Sequence, residues 1–493
     1  MRRVDYVAAF RKGTRVKVLV FVDHDIICRH FLMNGALDPL IRAADVRFVF
    51  PEDGGRRVKL DPASLVREVQ FETVPIDSKR QQTWRWVLFA DQLKFRQGAH
   101  ETTIRRIRRK ILGWKAALLL TLAGLPLGAI VFRAIVKRRL DATPNIALSA
   151  LLDRERPDVV LHPSVLDSVF INDLVIECSA RKIPFVVVMN SWDNPSTKRA
   201  VVGNPDWLLV WGPQTHDHAV RFTGIEGDRV VSFGAAQFDV FRDRPRVDRA
   251  QFCAAHGIDS SRRIVLFAGS NALTDEFGVV QTLDQAVDDG RLPNVTIVYR
   301  PHPWGNAGQG GVRFANGVFK NVVIDRTMLP YIDRVAAGIK GIYLPDYRDT
   351  HDLLSAVDVV ASPMSTILLE AALHAKPVVA YTSIETAQTD QLAFKLPLLH
   401  FAEFLKLPEI ASAGTVDELI SELATLVDPV KGRNMGERFQ FAASYFVTPY
   451  ERPWKERLVS FLQGLACENS AGGVKVDWVK KSLFFHGASA SAK

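Results

Sequence analysis

Residues 362–370 place short polar side chains before a helix that carries one acid in an apolar stretch, ILLEAAL. A helix N-terminus offers unpaired amides and a partial positive charge, so Ser365 and Thr366 are predicted to bind a diphosphate. Glu370 follows about one turn later, where a carboxylate accepts hydrogen bonds from vicinal hydroxyls such as those of a ribose. The alternative is a capping Ser or Thr with a first-turn Glu, which leaves the acid in an apolar run unexplained.

Three further predicted strands of the second half end in residues suited to an anion or a flat base. Ligands of open parallel sheets bind beyond the carboxyl ends of the strands, so these ends are candidate site positions. The first end offers backbone amides, the second a cation and an imidazole held between prolines, and the third an acid with an aromatic ring. An ordinary turn at the first end and a structural ion pair at the second are the alternatives. The residues are Gly269, Ser270 and Asn271; Arg300 and His302; Asp346 and Tyr347.

The elements that must position these residues are short apolar strands that alternate with helical segments, a pattern that predicts an α/β fold with parallel sheets. We predict two doubly wound, Rossmann-like domains that face a cleft. They comprise residues 1–240 and 255–440, followed by an amphipathic helix at 450–463 and a partly disordered tail at 469–493. The predicted strands are 15–22, 46–50, 157–163, 183–192, 206–212 and 229–234 in the first domain, and 263–270, 295–303, 341–347, 358–363 and 376–381 in the second.

An insert at residues 102–140 contains ten Lys and Arg residues and no acid, more positive charge than the net +9 of the whole chain. The basicity is therefore local, which excludes a nucleic-acid surface spread over the protein. Within the insert, residues 116–132 are uncharged, but Gly124, Pro126 and Gly128 interrupt them, and both flanks are basic. We interpret the insert as an interfacial element on an anionic membrane surface. A pair of buried helices with basic solvated ends is the alternative.

The four cysteines, Cys28, Cys178, Cys253 and Cys467, are far apart and form no CxxC pair. This spacing disfavours a disulfide framework or a structural zinc site and favours a reducing compartment. No secretory signal is recognised at the start of the sequence. We therefore predict a cytoplasmic protein that is peripheral to the cytoplasmic membrane.

Four quoted segments carry a resemblance to a known family. SPMSTILLEAALHAKPVV resembles the donor-site signature of GT-B glycosyltransferases, which use nucleotide sugars, and YRPHP and LPDYRDTHDLLSAVDVVAS resemble the same domain. VMNSWDNPSTK resembles a motif of the surface- and capsular-polysaccharide members. CDP-glycerol glycerophosphotransferases and UDP-N-acetylglucosamine 2-epimerases are related in fold. The resemblance covers most of the chain outside residues 80–145 and the tail.

The resemblance implies a role for each matching position of the donor domain. Glu370 contacts the nucleotide ribose, Ser365 and Thr366 bind the diphosphate with Arg300 and His302 nearby, and Asp346 and Tyr347 border the base. Many retaining members carry a second glutamate eight positions before the ribose-binding one. Here that position is Ser362, so the stereochemical outcome stays open.

The first domain is expected to bind the acceptor. Inverting GT-B enzymes often place a base in an early N-terminal loop, and a base must take the proton of the attacking hydroxyl. His24, with Asp23 and Asp25 beside it, is the candidate. The Asp-x-Asp spacing mimics a metal motif of another glycosyltransferase fold, but GT-B members generally need no metal, so neither a metal nor a cofactor is expected. Trp192, Asp193 and Asn194 form a predicted interdomain wall, although Trp192 is equally compatible with a core position.

From these observations we predict a glycosyltransferase that moves a sugar from a nucleotide-sugar donor to a cell-surface glycan or a lipid-linked acceptor. Two alternatives remain open. One is a CDP-glycerol-type glycerophosphotransferase, in which phosphorus is attacked. The other is a non-catalytic, membrane-associated scaffold with the same fold. The sequence does not identify the sugar, the nucleobase or the oligomeric state.

Overall fold

The computed structural model divides the chain into two compact units. Unit 1 comprises Met1–Asp239 and Phe446–Lys493, and unit 2 comprises Val240–Tyr445. Each unit is described below by itself. The residues that the structure describes are 15–52, 69–84, 113–114, 118, 122, 125–166, 168–197, 204–223, 225–270, 275–303, 313–339, 343–382 and 398–470.

Unit 1 contains a seven-stranded, all-parallel sheet in the order β3-β2-β1-β4-β5-β6-β7. The central strands are almost completely buried, as expected for a sheet that is covered on both faces. The chain order reverses between β1 and β4, which makes the carboxyl ends of these two strands a topological switch point. The strands are β1 (Lys17–Phe21), β2 (Asp45–Pro51), β3 (Phe71–Val74), β4 (Val159–Ser164), β5 (Phe185–Met189), β6 (Trp207–Val210) and β7 (Val230–Ser232).

Helices follow most strands of unit 1, and a π-helix at Cys28–Met33 directly continues the first of them. Single π-helical turns occur frequently at functional sites. Residues 78–84 are also helical. The α-helices are α1 (Asp25–Ile27), α2 (Asp38–Ala43), α3 (Pro126–Ala142), α4 (Ile146–Glu155), α5 (Ile171–Arg181), α6 (Asn194–Thr197) and α7 (Pro213–Thr223).

Unit 2 contains a six-stranded parallel sheet in the order β10-β9-β8-β11-β12-β13, with its switch point between β8 and β11. The predicted α/β class with two doubly wound sheets is therefore confirmed. The strand predicted at 341–347 is not found among the described residues 343–347, while β3, β10 and β13 were not predicted. The strands are β8 (Arg263–Ala268), β9 (Val295–Arg300), β10 (Val322–Ile324), β11 (Val359–Pro363), β12 (Val378–Tyr381) and β13 (Ile410–Ala413).

Side chains of Asp and Thr begin several helices of unit 2 by accepting hydrogen bonds from first-turn amides. Asp248 and Gln251 form a reciprocal capping box at α8, and Asp275, Thr415 and Asp428 cap α9, α14 and α15. These caps explain why the helices start where they do. The α-helices are α8 (Arg249–His256), α9 (Glu276–Asp288), α10 (Leu329–Ala336), α11 (Tyr347–Ala356), α12 (Ile367–Leu373), α13 (Leu399–Phe404), α14 (Val416–Leu426) and α15 (Pro429–Ala442).

The last helix, α16 (Trp454–Ser470), belongs to unit 1 although it follows unit 2 in the chain. Its apolar residues join the core that covers one face of the first sheet. Trp454 packs edge-to-face against Phe31 and Phe233, and Phe461 packs against Trp207. Asp239 accepts hydrogen bonds from the first two amides of α16, which fixes its start.

Residues before and after the insert contact Asp173, an almost fully buried acid of α5. Arg80 Nε and Trp84 Nε1 each lie 2.7 Å from Asp173 Oδ1, and Asn145 Nδ2 lies 2.8 Å from Oδ2. Arg80 also donates to two carbonyls at the end of α3. A single buried carboxylate thereby holds residues on both sides of the insert. Among the described residues, no helix combines the length and the apolar character needed to cross a bilayer.

Gly436 allows α15 to lie close to the turn that follows α12. A Cβ atom at Gly436 would lie 2.0 Å from the carbonyl oxygen of Ala375, which is backbone and cannot rotate away. We therefore expect Gly436→Ala to lower the free energy of unfolding of unit 2 by about 1–3 kcal/mol, because α15 must move outward. Urea denaturation measures this, with Glu437→Ala on the exposed face of α15 as control. Equal stability of both variants would contradict the close approach.

Candidate functional site

The turn between β11 and α12 presents unused polar groups at the switch point of unit 2. Ser365 and Thr366 are half-buried, and within the described residues neither hydroxyl makes a hydrogen bond. Thr366 occupies the N-cap position of α12 in a helical conformation and forms no side-chain cap. The backbone amides of residues 365–367 donate to no backbone carbonyl in the described part of the chain. Capping therefore does not account for these two residues, and the turn offers donors to an anion.

Glu370 lies one turn into α12 and is 8% exposed. The other members of the helix from Ile367 to Ala372 are buried and apolar. Carboxylates are rarely buried among apolar side chains without a polar partner, so Glu370 marks a polar position on this otherwise apolar helix. The structure therefore brings Ser365, Thr366 and Glu370 together as the sequence predicts, because all three lie within one strand-to-helix connection.

Two imidazoles that the sequence analysis did not single out lie beside α12. His374 Nδ1 donates to the carbonyl of Glu370 at 2.8 Å, and its Nε2 lies 2.8 Å from Nδ1 of His351 in α11. Burial lowers the pKa of His374 to about 4. The imidazoles of His374 and His351 thus lie in contact between the end of α12 and α11.

The turn after β8 was predicted to offer free backbone amides to an anion, but a carboxylate of the same unit already contacts it. The amide of Ser270 donates to Glu276 Oε1 at 2.8 Å, and the hydroxyl of Tyr299 donates to Oε2 at 2.6 Å. A Cβ atom at Gly269 would lie 2.4 Å from Oε2, so glycine leaves room for this carboxylate. The carboxylate of Glu276 therefore accepts the hydrogen bond from the Ser270 amide, which was predicted to bind a ligand. Asn271 lies outside the described residues.

Arg300 lies at the end of β9 in a buried ion pair rather than in the open. Its guanidinium donates to Asp325, and it lies 3.1 Å from the hydroxyls of Thr327 and Thr350. Burial by itself raises the pKa of Asp325, but the charge of Arg300 and hydrogen bonds from Thr327 lower it to about 2. This structural pairing is the alternative that the sequence left open. Arg300 thus joins the end of β9, the segment after β10 and helix α11.

His302 is half-buried two residues beyond Arg300, and residues 304–312, which begin two positions later, lie outside the described part. Asp346 caps α11 by accepting from the amide of Arg348 at 2.9 Å. Tyr347 is the first residue of that helix and is 4% exposed, and its ring contacts Phe241. The roles predicted for Asp346 and Tyr347 at a base stay predictions, and burial leaves little of the Tyr347 ring accessible.

In unit 1, the predicted catalytic residues follow β1. Asp23 is buried and accepts hydrogen bonds from the Ser168 hydroxyl and, at 2.8 Å, from the Val169 amide. His24 Nδ1 accepts from the amide of Ile26 at 3.1 Å, so a neutral His24 carries its proton on Nε2. In that tautomer Nε2 of His24 donates, and the predicted role of His24 as the base stays a prediction. Sequence reasoning missed Ser168 and also His162, whose Nε2 lies 3.9 Å from Asp23.

Asp25 is buried in the first turn of α1. Within the described ranges, no group of three or more His, Cys, Asp or Glu side chains is arranged to hold a metal ion, including the Asp-x-Asp segment. Trp192 is 1% exposed and packs edge-to-face against Phe446 of the same unit, which is a core position. Asp193 and Asn194 hold the turn after β5 through Thr197 and Ser191. Their predicted place in an interdomain wall stays a prediction.

No protein-family model and no curated protein matches this chain. Among solved structures, it is similar to the UDP-GlcNAc 2-epimerase from Neisseria meningitidis bound to UDP-GlcNAc, with 13% identity, coverage of 91% of this chain and 100% of that chain, and a TM-score of 0.47. It is also similar to the wall teichoic acid polymerase TagF soaked with CDPG, with 10% identity, coverage of 93% and 90%, and a TM-score of 0.48. The UDP complex of S. aureus MnaA gives 12% identity, 91% and 96% coverage, and a TM-score of 0.45.

The similar structures thus include 2-epimerases, which the sequence resemblance named as related in fold. At these identities, no activity is carried over from those proteins to this chain.

Proposed function

We propose that this protein is a nucleotide-sugar-dependent glycosyltransferase that moves a sugar to a cell-surface glycan or a lipid-linked acceptor. The observation that carries the proposal is the turn between β11 and α12. Ser365 and Thr366 have hydroxyls without hydrogen bonds in the described structure, and buried Glu370 follows one turn later. A diphosphate fits the first two residues and a ribose the third, which together match a nucleoside diphosphate.

In the proposed reaction, unit 2 binds the donor and unit 1 the acceptor. Hydrogen bonds at Ser365 and Thr366 stabilise the charge of the leaving diphosphate more than that of the intact donor, which lowers the barrier. Ser362 stands where many retaining relatives have a second glutamate. It is fully buried, and its hydroxyl donates to the carbonyl of Pro363 at 2.7 Å. This position therefore supplies no carboxylate to the sugar.

The released nucleotide tests the proposed reaction. Wild-type protein is incubated with UDP-, GDP-, CDP- and dTDP-sugars and with CDP-glycerol, each with a lipid-linked glycan acceptor, and nucleotides are separated by chromatography. We expect one nucleotide sugar to release its nucleoside diphosphate, because the anomeric C–O bond breaks. Release of CMP from CDP-glycerol would instead show attack at phosphorus and contradict the proposal. A scaffold without turnover releases neither.

We further propose that the insert binds an anionic membrane surface on the cytoplasmic side. One surface of α3 exposes large apolar side chains, while the basic Lys137, Arg138 and Arg139 near its end are also exposed. Apolar side chains enter the lipid headgroup boundary, and Lys and Arg attract anionic lipids. This combination favours a bilayer over a purely apolar protein partner. The apolar residues are Leu127 (79% exposed), Ile130 (67%), Val131 (58%) and Ile135 (50%).

Replacement of Leu127 and Ile130 by Ser is expected to lower vesicle binding at least about tenfold, because burial of each side chain contributes about 1.5–3 kcal/mol. Co-sedimentation with phosphatidylcholine vesicles that contain phosphatidylserine measures this. Val318→Ser, at an apolar residue of unit 2 that is 97% exposed, is the matched control. Binding of wild type should weaken with added salt and without phosphatidylserine. Equal binding of the double variant and wild type would contradict the role of α3.

A further inference from the structure

A hydrogen-bond chain of three polar side chains, two buried and one half-buried, lies at the switch point of unit 1. His162 is on β4, Asp23 lies two residues beyond the end of β1, and Ser168 is in the segment after β4. The two strands are neighbours in the sheet. Because ligands of doubly wound sheets bind at such a point, this is the place in unit 1 where a substrate is expected.

The hydrogen-bond partners fix the direction of this chain at one end. His162 Nδ1 lies 3.1 Å from the carbonyl oxygen of Phe21, which can only accept, so Nδ1 carries a proton. Nε2 lies 2.5 Å from the hydroxyl of Ser168, and the same hydroxyl contacts Oδ2 of Asp23. A neutral His162 therefore has its lone pair on Nε2, directed at Ser168.

A count of the hydrogens shows that this hydrogen-bond chain can take up one more proton. The hydroxyl of Ser168 has a single hydrogen but faces two acceptors, Nε2 of His162 and Oδ2 of Asp23. With neutral His162 and ionised Asp23, only one of the two contacts is a hydrogen bond. One additional proton on Nε2 makes both of them hydrogen bonds. Asp23 Oδ1 is also buried and has no hydrogen-bond partner among the described residues, so the carboxylate is not saturated.

Burial and charge act on the imidazole in opposite directions. Burial lowers the pKa of His162, and the carboxylate of Asp23, 3.9 Å from Nε2, opposes that shift. Asp23 is the charged group that acts on His162, and it begins the segment that also contains His24, Asp25, Cys28 and His30. Of the three members of the chain, Ser168 alone is half-buried, so it is the point of entry from outside.

We propose that Ser168, His162 and Asp23 form a relay that accepts the proton of the acceptor hydroxyl. This inference rests on the proposed function. The acceptor proton passes to Ser168 Oγ while the Ser168 proton passes to Nε2 of His162. The acceptor oxygen forms its bond to the anomeric carbon, and the bond from that carbon to the diphosphate oxygen breaks, its electron pair leaving with the diphosphate. Asp23 then accepts from Ser168 and balances the imidazolium charge.

In this relay Ser168 is the catalytic residue that touches the acceptor, and His162 and Asp23 are positioning residues that act through it. The relay also differs from the sequence expectation that His24 is the base. His24 uses Nδ1 to begin α1, whereas Nε2 of His162 is directed at a hydroxyl that an acceptor can reach.

Imidazole ¹⁵N NMR of the full-length protein, labelled at histidine, tests the relay without any substrate. The His162 signal is assigned by its loss in His162→Gln. We expect the pKa of His162 to fall by at least about one unit in Asp23→Asn, because the charge that stabilises the imidazolium is lost. Asp158→Asn, at the opposite end of β4, is the control and should leave that pKa unchanged.

Ser168→Ala removes only the hydroxyl and covers the case in which Asp23→Asn does not fold. It should also lower the pKa of His162, because Nε2–H of the imidazolium loses its acceptor. An unchanged His162 pKa in the folded variants would overturn the relay. The proposed function would be untouched by that outcome, since this measurement involves no nucleotide sugar.

Once a donor is identified, turnover separates the relay from a merely structural network. We expect Ser168→Ala to lower kcat about 100-fold or more with KM nearly unchanged, and to shift the pH dependence of kcat toward alkaline pH. Ser168→Thr, which keeps the hydroxyl, should restore most of the rate. Ser164→Ala, at a neighbouring serine whose hydroxyl accepts from the Leu166 amide, should keep the wild-type pH profile. Equal kcat and pH profiles for Ser168→Ala and wild type would overturn the relay.

Discussion

Asp325→Asn is expected to lower the free energy of unfolding of unit 2 by about 3–5 kcal/mol, because it leaves the buried charge of Arg300 without a counter-ion. The guanidinium and the carboxylate are both nearly inaccessible to water, so solvent does not replace the lost partner. Urea denaturation measures the change in the free energy of unfolding. Amide hydrogen exchange in β9 and α11 then shows whether the loss is located where Arg300 makes its contacts.

The matched control is Asp417→Asn, which breaks a surface ion pair with Arg291. The side chain of Arg291 is 42% exposed and that of Asp417 is 87% exposed. This variant should unfold like wild type, since exposed pairs contribute little. If Asp325→Asn were as stable as Asp417→Asn, Arg300 would not depend on Asp325 and would be free to bind an anion.

The same ion pair has a defined pH dependence. Asp325 has a pKa lowered from 3.8 to about 2 in the folded protein. A carboxyl with a depressed folded pKa stabilises the fold fully above its unfolded pKa, and that stability is lost as pH falls through the folded pKa. Ionisation of Asp325 thereby contributes about 2 kcal/mol to the free energy of unfolding above the unfolded pKa. The acid-induced loss of stability should therefore be smaller in Asp325→Asn than in wild type.

Glu370→Gln is expected to weaken binding of the matching nucleoside diphosphate about 10- to 100-fold while the protein stays folded. Hydrogen bonds to a charged group contribute about 1.5–3 kcal/mol, and the amide keeps the shape of the side chain but loses the charge and one acceptor. Isothermal titration calorimetry gives the affinity, and the urea midpoint reports the fold.

Glu437→Gln, on the exposed face of α15, is the control for a lost acid in the same unit. Unchanged nucleotide affinity in Glu370→Gln would mean that the carboxylate does not contact the ribose. The role of Ser365 and Thr366 would then have to be judged separately.

The sequence predicted the interior of both sheets well because those strands are buried on both faces and appear as apolar runs. β5 and β8 are examples, since each contains one continuous run of at least five apolar residues. The edge strands β3 and β13 have mixed, half-exposed residues and gave no such signal. Residues 343–347, the described part of the strand predicted at 341–347, form no strand, because Asp346 caps a helix that begins at Tyr347.

The residues of the candidate site also differ in how well the sequence predicts their contacts. Ser365, Thr366 and Glu370 were predictable because six residues contain the whole arrangement. Arg300 and Asp325 lie 25 residues apart, and Asp23 and Ser168 lie 145 apart, so their pairing depends on strand order that a sequence pattern does not encode. Glu276 is only six residues from Ser270, but nothing in its type indicates that its carboxylate accepts from that amide.

The most direct test of the account is calorimetric titration of wild type and of a Ser365→Ala, Thr366→Val double variant with UDP, GDP, CDP, dTDP and the matching monophosphates. We predict that one nucleoside diphosphate binds wild type more tightly than its monophosphate. The double variant should lose most of that preference without losing stability, because neither hydroxyl forms a cap or any other hydrogen bond in the described structure. A double variant that keeps the full diphosphate preference, or a wild type that binds none of these nucleotides, would contradict the nucleotide-sugar site at β11 and α12.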